Sequence, residues 1–125
     1  VDYLLIDAPC SGLGLLRRKP EIKWNRKEED IKELETLQWK ILNTVKDYVK
    51  NNGILVYSTC TILKDENINM INRFLKENKE FKLIPFDEEI QNKENLNTIN
   101  EGYIQLFPHI HGTDGFFIAK MIKQI

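Results

Sequence analysis

The sequence is poor in cysteine and has no strong excess of charge of either sign. It holds two cysteines among 125 residues, too few for a disulfide scaffold, and this favours a reducing compartment. Eighteen Lys and Arg residues stand against 19 Asp and Glu residues, which excludes a disordered acidic tail and a histone-like basic arm. No apolar run approaches the roughly 20 residues of a membrane-spanning helix, and no signal-peptide pattern opens the chain. The composition predicts a soluble globular domain of the cytoplasm.

The chain opens on Val1 and immediately shows the pattern of a buried strand. Residues 3–6 are continuously apolar without alternation, which is typical of a strand covered on both faces in a parallel sheet. Native domains rarely begin inside a core strand. We therefore expect residues 1–125 to be the C-terminal portion of a larger protein's domain.

The rest of the chain predicts an α/β fold. Apolar residues at three- and four-residue steps indicate helices over residues 27–52 and 64–78. Strands are expected at residues 54–59, 81–85, 103–107 and 115–122, and residues 87–101 are expected to form a surface loop. The last two strands flank a turn at 109–114 and predict a terminal antiparallel hairpin. The first two strands and the long helix predict a βαβ unit with adjacent parallel strands and a right-handed crossover.

Two loops, at residues 8–14 and 60–63, then leave the carboxyl ends of neighbouring strands, the edge where open α/β sheets bind ligands. Because such strands lie ~4.8 Å apart, we expect Cys10 and Cys60 to face one small substrate. A single free cysteine is more often a buried apolar residue, and a disulfide between the two is the competing interpretation. Cys60 precedes a predicted helix, whose N-terminus lowers a thiol pKa.

Other polar residues near these loops allow more than one interpretation. Asp7 ends an apolar strand and either caps the next loop or binds a ligand or a protonated base, and the residues alone favour neither. His109 and His111, with the two cysteines, lack the paired spacing typical of zinc ligands, so we expect no metal site. A basic run with an aromatic ring, Trp24, is suited to a phosphodiester backbone, although such runs are mostly solvated surface. Its cations include Arg17, Arg18, Lys19 and Lys23.

Four motifs in order resemble the Sun/Fmu family of RNA cytosine-5 methyltransferases, which modify ribosomal RNA. They are DAPCSGLG at 7–14, RKP at 18–20 with KW at 23–24, STCT at 58–61, and PH at 108–109 with GTDGFFIAK at 112–120. The resemblance covers essentially the whole chain and is strongest to the branch that acts on bacterial small-subunit rRNA. It implies a class I Rossmann-like methyltransferase fold that uses S-adenosylmethionine.

The resemblance also implies roles for individual residues. Cys60 is expected to add to C6 of the target cytosine, and Cys10 is expected to assist product release. Asp7 is expected to be a catalytic residue that lies against both the cofactor and the target base, Pro9 is expected to lie against the cofactor, and the basic run is expected to bind RNA. Since no glycine-rich loop precedes the first strand, we expect the cofactor half of the domain to be missing. Weak cofactor binding, an unpaired first strand and self-association are then expected of the chain alone.

Two other functions remain as alternatives. One is a non-catalytic RNA-binding or ribosome-assembly module that kept the fold, and the presence of both cysteines with Asp7 disfavours it. The other is a thiol hydrolase, which the lack of a recognisable oxyanion hole disfavours.

Overall fold

The computed structural model describes residues 1–12, 28–86, 98–107 and 114–125. Within these ranges five strands form one sheet, accompanied by two α-helices and three short 3₁₀ turns. The strands are β1 (Tyr3–Asp7), β2 (Ile54–Thr59), β3 (Phe81–Leu83), β4 (Tyr103–Leu106) and β5 (Phe116–Lys123). The α-helices are α1 (Glu28–Val45) and α2 (Ile68–Glu77), and the 3₁₀ turns are Lys46–Tyr48, Lys64–Glu66 and Ile99–Glu101.

The sheet combines one parallel pair with an antiparallel C-terminal part. β1 pairs with β2 in parallel, β2 pairs with β5 antiparallel, and β3 and β4 both pair antiparallel with β5. The two short strands share one edge of β5, where β3 begins opposite Lys123 and β4 ends opposite Phe116. The predicted parallel neighbours and the terminal hairpin are confirmed. The predicted turn at 109–114 lies almost wholly outside the described residues, as does most of the loop at 87–101.

A glycine stands where β3 and β4 meet beside β5. Gly102 has a φ of 95°, in the left-handed region, and its carbonyl accepts a hydrogen bond from the Lys120 N–H at 2.9 Å. A Cβ at this position would lie 2.7 Å from the Ile84 carbonyl oxygen. Only glycine therefore fits this junction without displacing the backbone.

Helix α1 is shorter than the pattern predicts. Its acidic first turn, Glu28 to Asp30, agrees with the helix dipole, but the α-helix ends at Val45 and continues only as a 3₁₀ turn. The carbonyl oxygens of Lys46 and Val49 accept hydrogen bonds from Lys123 Nζ at 3.2 and 2.9 Å. A side chain from β5 thus binds the carbonyls of the segment that directly follows the α-helix. This contact joins residues that are distant in the sequence, so no local sequence pattern predicts it.

The main core lies between the helices and one face of the sheet. Leu4 and Ile6 of β1 contact this core from the edge of the sheet. The largest fully buried apolar side chains come from both helices and from β2 and β5, and they are Tyr57, Phe74, Phe117, Leu42, Leu55, Ile71 and Met121. Phe74 of α2 also packs against Phe81 of β3, with ring centroids 5.2 Å apart. Burial of these aromatic and aliphatic groups is the main stabilising contribution to the fold.

The other face of β1 is bare, so the prediction of a strand covered on both faces is wrong for this chain. Tyr3 and Leu5 are 79% and 70% exposed, whereas Ile6, on the helix-covered face, is 7% exposed. Side chains alternate between the two faces of a strand, and within the described ranges nothing covers the Tyr3 side. The predicted unpaired edge is confirmed, because among the described strands β1 pairs only with β2. A small cluster covers part of this face farther along the sheet, at Phe86, Ile104, Leu106 and Ile118.

No helix within the described ranges combines the length and apolar character that crossing a membrane requires.

The bare strand generates a prediction for the 125-residue chain studied alone. An unpaired strand with exposed apolar side chains favours edge-to-edge association, and each few hundred Å² of apolar surface left in water costs several kcal/mol at about 25 cal/mol per Å². We expect sedimentation velocity to show concentration-dependent self-association. Substituting Tyr3→Lys and Leu5→Lys together should suppress it.

The matched control is the double variant Thr36→Lys and Leu37→Lys, which places the same charges at two exposed positions of helix α1. It should associate like the unchanged chain. A chain that stays monomeric at all concentrations would contradict the prediction.

Candidate active site

Cys10 and Cys60 lie side by side at the carboxyl ends of β1 and β2. Their Sγ atoms are 3.4 Å apart, both side chains are half-buried, and both are free thiols. The parallel register pairs Asp7 with Ser58, and the Ala8 N–H extends the ladder by donating to the Ser58 carbonyl at 2.9 Å. The predicted shared rim is therefore confirmed. The competing disulfide interpretation is not what the structure shows.

The two thiols differ in acidity because they share one hydrogen bond. The pKa of Cys60 is lowered from its ordinary value of 9.0 to about 7, chiefly because the Cys10 thiol donates to its sulfur. Burial and the carboxylates of Asp7 and Glu66 act in the opposite direction. The same hydrogen bond and burial raise the pKa of Cys10. Near neutral pH about half of Cys60 is therefore thiolate, while Cys10 keeps its proton.

The cause of the acidity of Cys60 differs from the predicted one. Sequence reasoning assigned it to a helix N-terminus directly after the cysteine, but α2 begins only at Ile68. A 3₁₀ turn, Lys64–Glu66, precedes it. The neighbouring thiol is the largest contribution, and it depends on tertiary contact.

A buried polar network, which the sequence analysis missed, lies beneath the two cysteines. The Glu66 carboxylate accepts hydrogen bonds from Ser11, Thr61 and Gln38, and all four side chains are fully buried. Gln38 also donates to the Pro9 carbonyl at 2.8 Å. In the sequence Glu66 belongs to the polar stretch KDEN, which looks like the exposed start of a helix. The only sequence signal for the buried network was that a serine and a threonine follow the two cysteines.

A second set of contacts fixes the backbone on either side of Cys60. Thr59 Oγ1 donates to Asn67 Oδ1 at 2.6 Å, and Asn67 Nδ2 donates to the Thr61 carbonyl at 2.9 Å. Asn67 Nδ2 also donates to Gln105 Oε1 of β4 at 2.6 Å. Buried amides with such partners have little freedom to move. Cys60 therefore lies on a well-anchored loop.

Asp7 and Pro9 are both exposed at the carboxyl end of β1. The Asp7 carboxylate lies close enough to Cys60 to oppose ionisation of its thiol. Within the described ranges this carboxylate has no hydrogen-bond partner and is open to a ligand. Both residues are accessible to a cofactor, but no glycine-rich turn accompanies them in the described part of the chain.

Several predicted site residues lie outside the described residues. They are Arg17, Arg18, Lys19 and Lys23 of the predicted RNA-binding run. His109 and His111, which we did not expect to form a metal site, also lie outside the described residues. In the ranges that the structure does describe, no group of three His, Cys, Asp or Glu side chains could hold a metal ion.

The thiol pair yields a prediction that needs no substrate. Replacing Cys10 by Ala removes the donor that stabilises the Cys60 thiolate, so the Cys60 pKa should rise from about 7 towards 9.0. In the intact protein, the midpoint of the alkylation rate of Cys60 against pH should move upward accordingly. At pH 7 the rate should fall about fivefold or more, since fewer thiolates outweigh the greater nucleophilicity of a more basic thiol.

Alkylation is measured by mass spectrometry of the peptide that contains Cys60, with iodoacetamide as the probe. Cys60→Ala serves as the control that assigns the signal. An unchanged midpoint in Cys10→Ala would show that Cys10 does not activate Cys60.

Comparisons with known proteins identify relatives of the chain. A protein-family model described as 16S rRNA methyltransferase RsmB/F matches residues 1–122. The chain is similar to ribosomal RNA small subunit methyltransferase B of Photorhabdus laumondii, with 43% identity over 98% of this chain and 26% of the relative. It is also similar to the probable ribosomal RNA small subunit methyltransferase B of Bacillus subtilis, with 41% identity over 98% of this chain and 28% of the relative. The chain thus spans about a quarter of the length of these curated relatives.

Solved structures share the fold. The crystal structure of PH0851 superimposes with a TM-score of 0.85 at 37% identity, covering 98% of this chain and 27% of that chain. The crystal structure of NSun6 from Pyrococcus horikoshii with SFG gives a TM-score of 0.76 at 31% identity, covering 95% of this chain and 29% of that chain. These likenesses confirm the predicted Rossmann-like methyltransferase fold. Since the family model matches residues 1–122, the chain belongs to the 16S rRNA methyltransferase RsmB/F family.

Proposed function

We propose that the protein to which this chain belongs methylates C5 of a cytosine in small-subunit ribosomal RNA, through a covalent adduct between Cys60 and C6 of the base. The observation that carries the proposal is the pair of sulfur atoms 3.4 Å apart, with the Cys60 pKa lowered and the Cys10 pKa raised. The relatives named as ribosomal RNA small subunit methyltransferases support the RNA substrate. An enzyme of this kind acts in the cytoplasm.

Cys60 supplies the nucleophile that cytosine needs. C5 of cytosine is a poor nucleophile, and addition of the Cys60 thiolate to C6 forms a C–S bond and makes C5 carbanion-like. C5 then takes the methyl group and afterwards loses its proton to a base. The electron pair of the broken C5–H bond forms the C5–C6 double bond and expels the Cys60 thiolate, so the C–S bond breaks and 5-methylcytosine is released.

S-adenosylmethionine supplies the electrophilic methyl group when bound. Its use is supported by the NSun6 structure, since SFG is an analogue of S-adenosylmethionine. Asp7 and Pro9 fit one side of such a cofactor, because both are exposed beside the thiol pair and the carboxylate is an acceptor for the cofactor's polar groups. We assign the remaining contacts to an N-terminal part of the domain, which would also cover the bare strand β1.

Cys10 is assigned to proton transfer in the later part of the reaction, when the product is released. It holds its proton next to Cys60, so it is placed to act on the adduct once the Cys60 sulfur is occupied. We assign it to product release. We assign Asp7 as a base, or as a group that holds a protonated base, at this edge of the sheet. We assign Arg17, Arg18, Lys19 and Lys23 to binding of the RNA backbone.

A non-catalytic RNA-binding module explains the structure less well. Binding RNA requires cations and stacking surfaces, whereas it has no use for a thiol activated by a second thiol. The activated pair favours the enzyme.

The first test is Cys60→Ala in the intact enzyme. Cys10, the other thiol on this rim, has a raised pKa and is the poorer nucleophile, so methylation of RNA should fall below detection and no covalent complex should form with RNA containing 5-fluorocytosine. Methylation is measured by transfer of a labelled methyl group, and adduct by denaturing gel. Turnover near that of the unchanged enzyme would show that Cys60 is not the nucleophile.

The second test is Cys10→Ala in the same enzyme. If Cys10 assists release, the adduct with natural RNA should accumulate on denaturing gels. The assay is run near pH 9 as well as near pH 7, because the substitution also slows formation of the Cys60 thiolate at neutral pH. Normal release with no accumulated adduct at either pH would contradict the role of Cys10, and Cys60→Ala is the adduct-free control.

A further inference from the structure

Glu66 is a fully buried acidic side chain that the proposed chemistry does not use. It belongs to the 3₁₀ turn Lys64–Glu66, between the Cys60 loop and α2. A buried carboxyl group is costly unless hydrogen bonds compensate for the water it has lost. Its partners therefore indicate what it does in this fold.

Each of the two carboxylate oxygen atoms of Glu66 accepts two hydrogen bonds. Oε1 accepts from the Ser11 N–H at 2.7 Å and from Gln38 Nε2 at 3.2 Å. Oε2 accepts from Ser11 Oγ and from Thr61 Oγ1, each at 2.7 Å. The donors come from three separate segments: the loop after β1, helix α1 and the loop after β2. One carboxyl group thus joins three parts of the chain.

The two hydroxyl donors directly follow the two cysteines. Ser11 comes after Cys10, and Thr61 comes after Cys60. Ser11 Oγ and Thr61 Oγ1 are 2.9 Å apart, so with Glu66 Oε2 they form a closed triangle of short contacts. Through this triangle, one side chain fixes the distance between the two cysteine-bearing loops.

The thiol pair needs such support. A thiol is a weak hydrogen-bond donor and a weak acceptor, so the contact between the sulfur atoms cannot by itself hold two loops together. Hydrogen bonds to a carboxylate are roughly twice as strong as neutral ones, and here they are shielded from water. The polar layer below the sulfur atoms is therefore the stronger structural element.

We propose that Glu66 is a positioning residue that holds Cys10 and Cys60 at hydrogen-bonding distance, in support of the proposed covalent chemistry. It touches neither substrate nor cofactor in this role. It acts by fixing Ser11 and Thr61, and through them the sulfur atom of each preceding cysteine. The titratable groups that face Cys60 and Glu66 are Cys10, Asp7, Tyr57 and Glu35.

Two substitutions of Glu66 separate the hydrogen bonds from the charge. In Glu66→Gln the amide keeps an acceptor for the Ser11 N–H and Gln38, while its NH₂ donates to the two hydroxyl oxygens. In Glu66→Ala all four hydrogen bonds are lost. The readout is the pH profile of Cys60 alkylation by iodoacetamide in the intact protein, resolved by peptide mass spectrometry.

We expect Glu66→Ala to move the midpoint upward as far as Cys10→Ala does, with alkylation at pH 7 about fivefold or more slower. Glu66→Gln should keep the midpoint at or slightly below that of the unchanged protein, because a carboxylate that opposes ionisation of Cys60 has been removed. An unshifted midpoint in folded Glu66→Ala, or an equal upward shift in both variants, would overturn the proposal.

A double substitution tests whether Glu66 acts through Cys10. In the Cys10→Ala background the thiol hydrogen bond is already gone, so adding Glu66→Ala should raise the midpoint no further. An additive shift would contradict the proposal, since it would show that Glu66 acts on Cys60 by another route. Glu35→Gln, which removes a nearby acidic charge without touching the triangle, is the matched control and should leave the midpoint unchanged.

If Glu66→Ala does not fold, Thr61→Val carries the test. It removes one hydroxyl donor, preserves the shape of the side chain and leaves Glu66 in place, and it should shift the midpoint upward. A folded Thr61→Val protein with an unchanged midpoint would overturn the proposal. These readouts require no RNA, so a failure of the proposed methylation would appear separately, as an unchanged enzyme that forms no adduct with 5-fluorocytosine RNA.

Discussion

The parallel pairing of β1 with β2 is the constraint on which the rest of the site depends. The loops that follow neighbouring parallel strands begin at the same edge of the sheet. The pairing of Asp7 with Ser58 sets where each loop begins relative to the other. Cys10 and Cys60 are 50 residues apart in the chain and reach 3.4 Å between sulfur atoms because of this register. A slip of one residue would turn each side chain of β1 to the opposite face and remove the contact.

Proximity of two identical groups would be of little use without a difference between them. The shared hydrogen bond provides that difference, because only one sulfur atom can donate while the other accepts. Donation by Cys10 lowers the pKa of Cys60 and raises that of Cys10, so one pair contains both a nucleophile and a proton source. Cys60 gains this acidity although Asp7 and Glu66 oppose it, which shows how strongly the local contact outweighs the more distant charges.

The layer of buried polar side chains beneath the two thiols makes the site rigid. Ser11, Gln38, Thr61 and Glu66 are fully buried, and among them hydrogen bonds link β1, α1 and β2 through their adjoining segments. The Glu66 carboxylate accepts four hydrogen bonds in this layer, and buried hydrogen bonds to a carboxylate resist deformation. On the other side β1 is bare, with Tyr3 and Leu5 exposed. The chain thus presents a buried, hydrogen-bonded layer beneath the thiol pair and an open strand edge.

The sequence by itself determined the order and type of nearly every described element, since strand β2 matches its predicted range and α2 and the terminal strands differ from theirs by a few residues. Continuous apolar runs and three- and four-residue periodicities are local, so they can be found without coordinates. The shared rim of Cys10 and Cys60 also followed, because a βαβ unit fixes where its loops emerge. The length of α1 did not, since Lys123 from a distant strand binds the carbonyls of Lys46 and Val49, which follow the helix. Only the tertiary structure decided which thiol is acidic and that Glu66 is buried between the two loops, because hydrogen bonds and burial depend on atoms brought together from opposite parts of the chain.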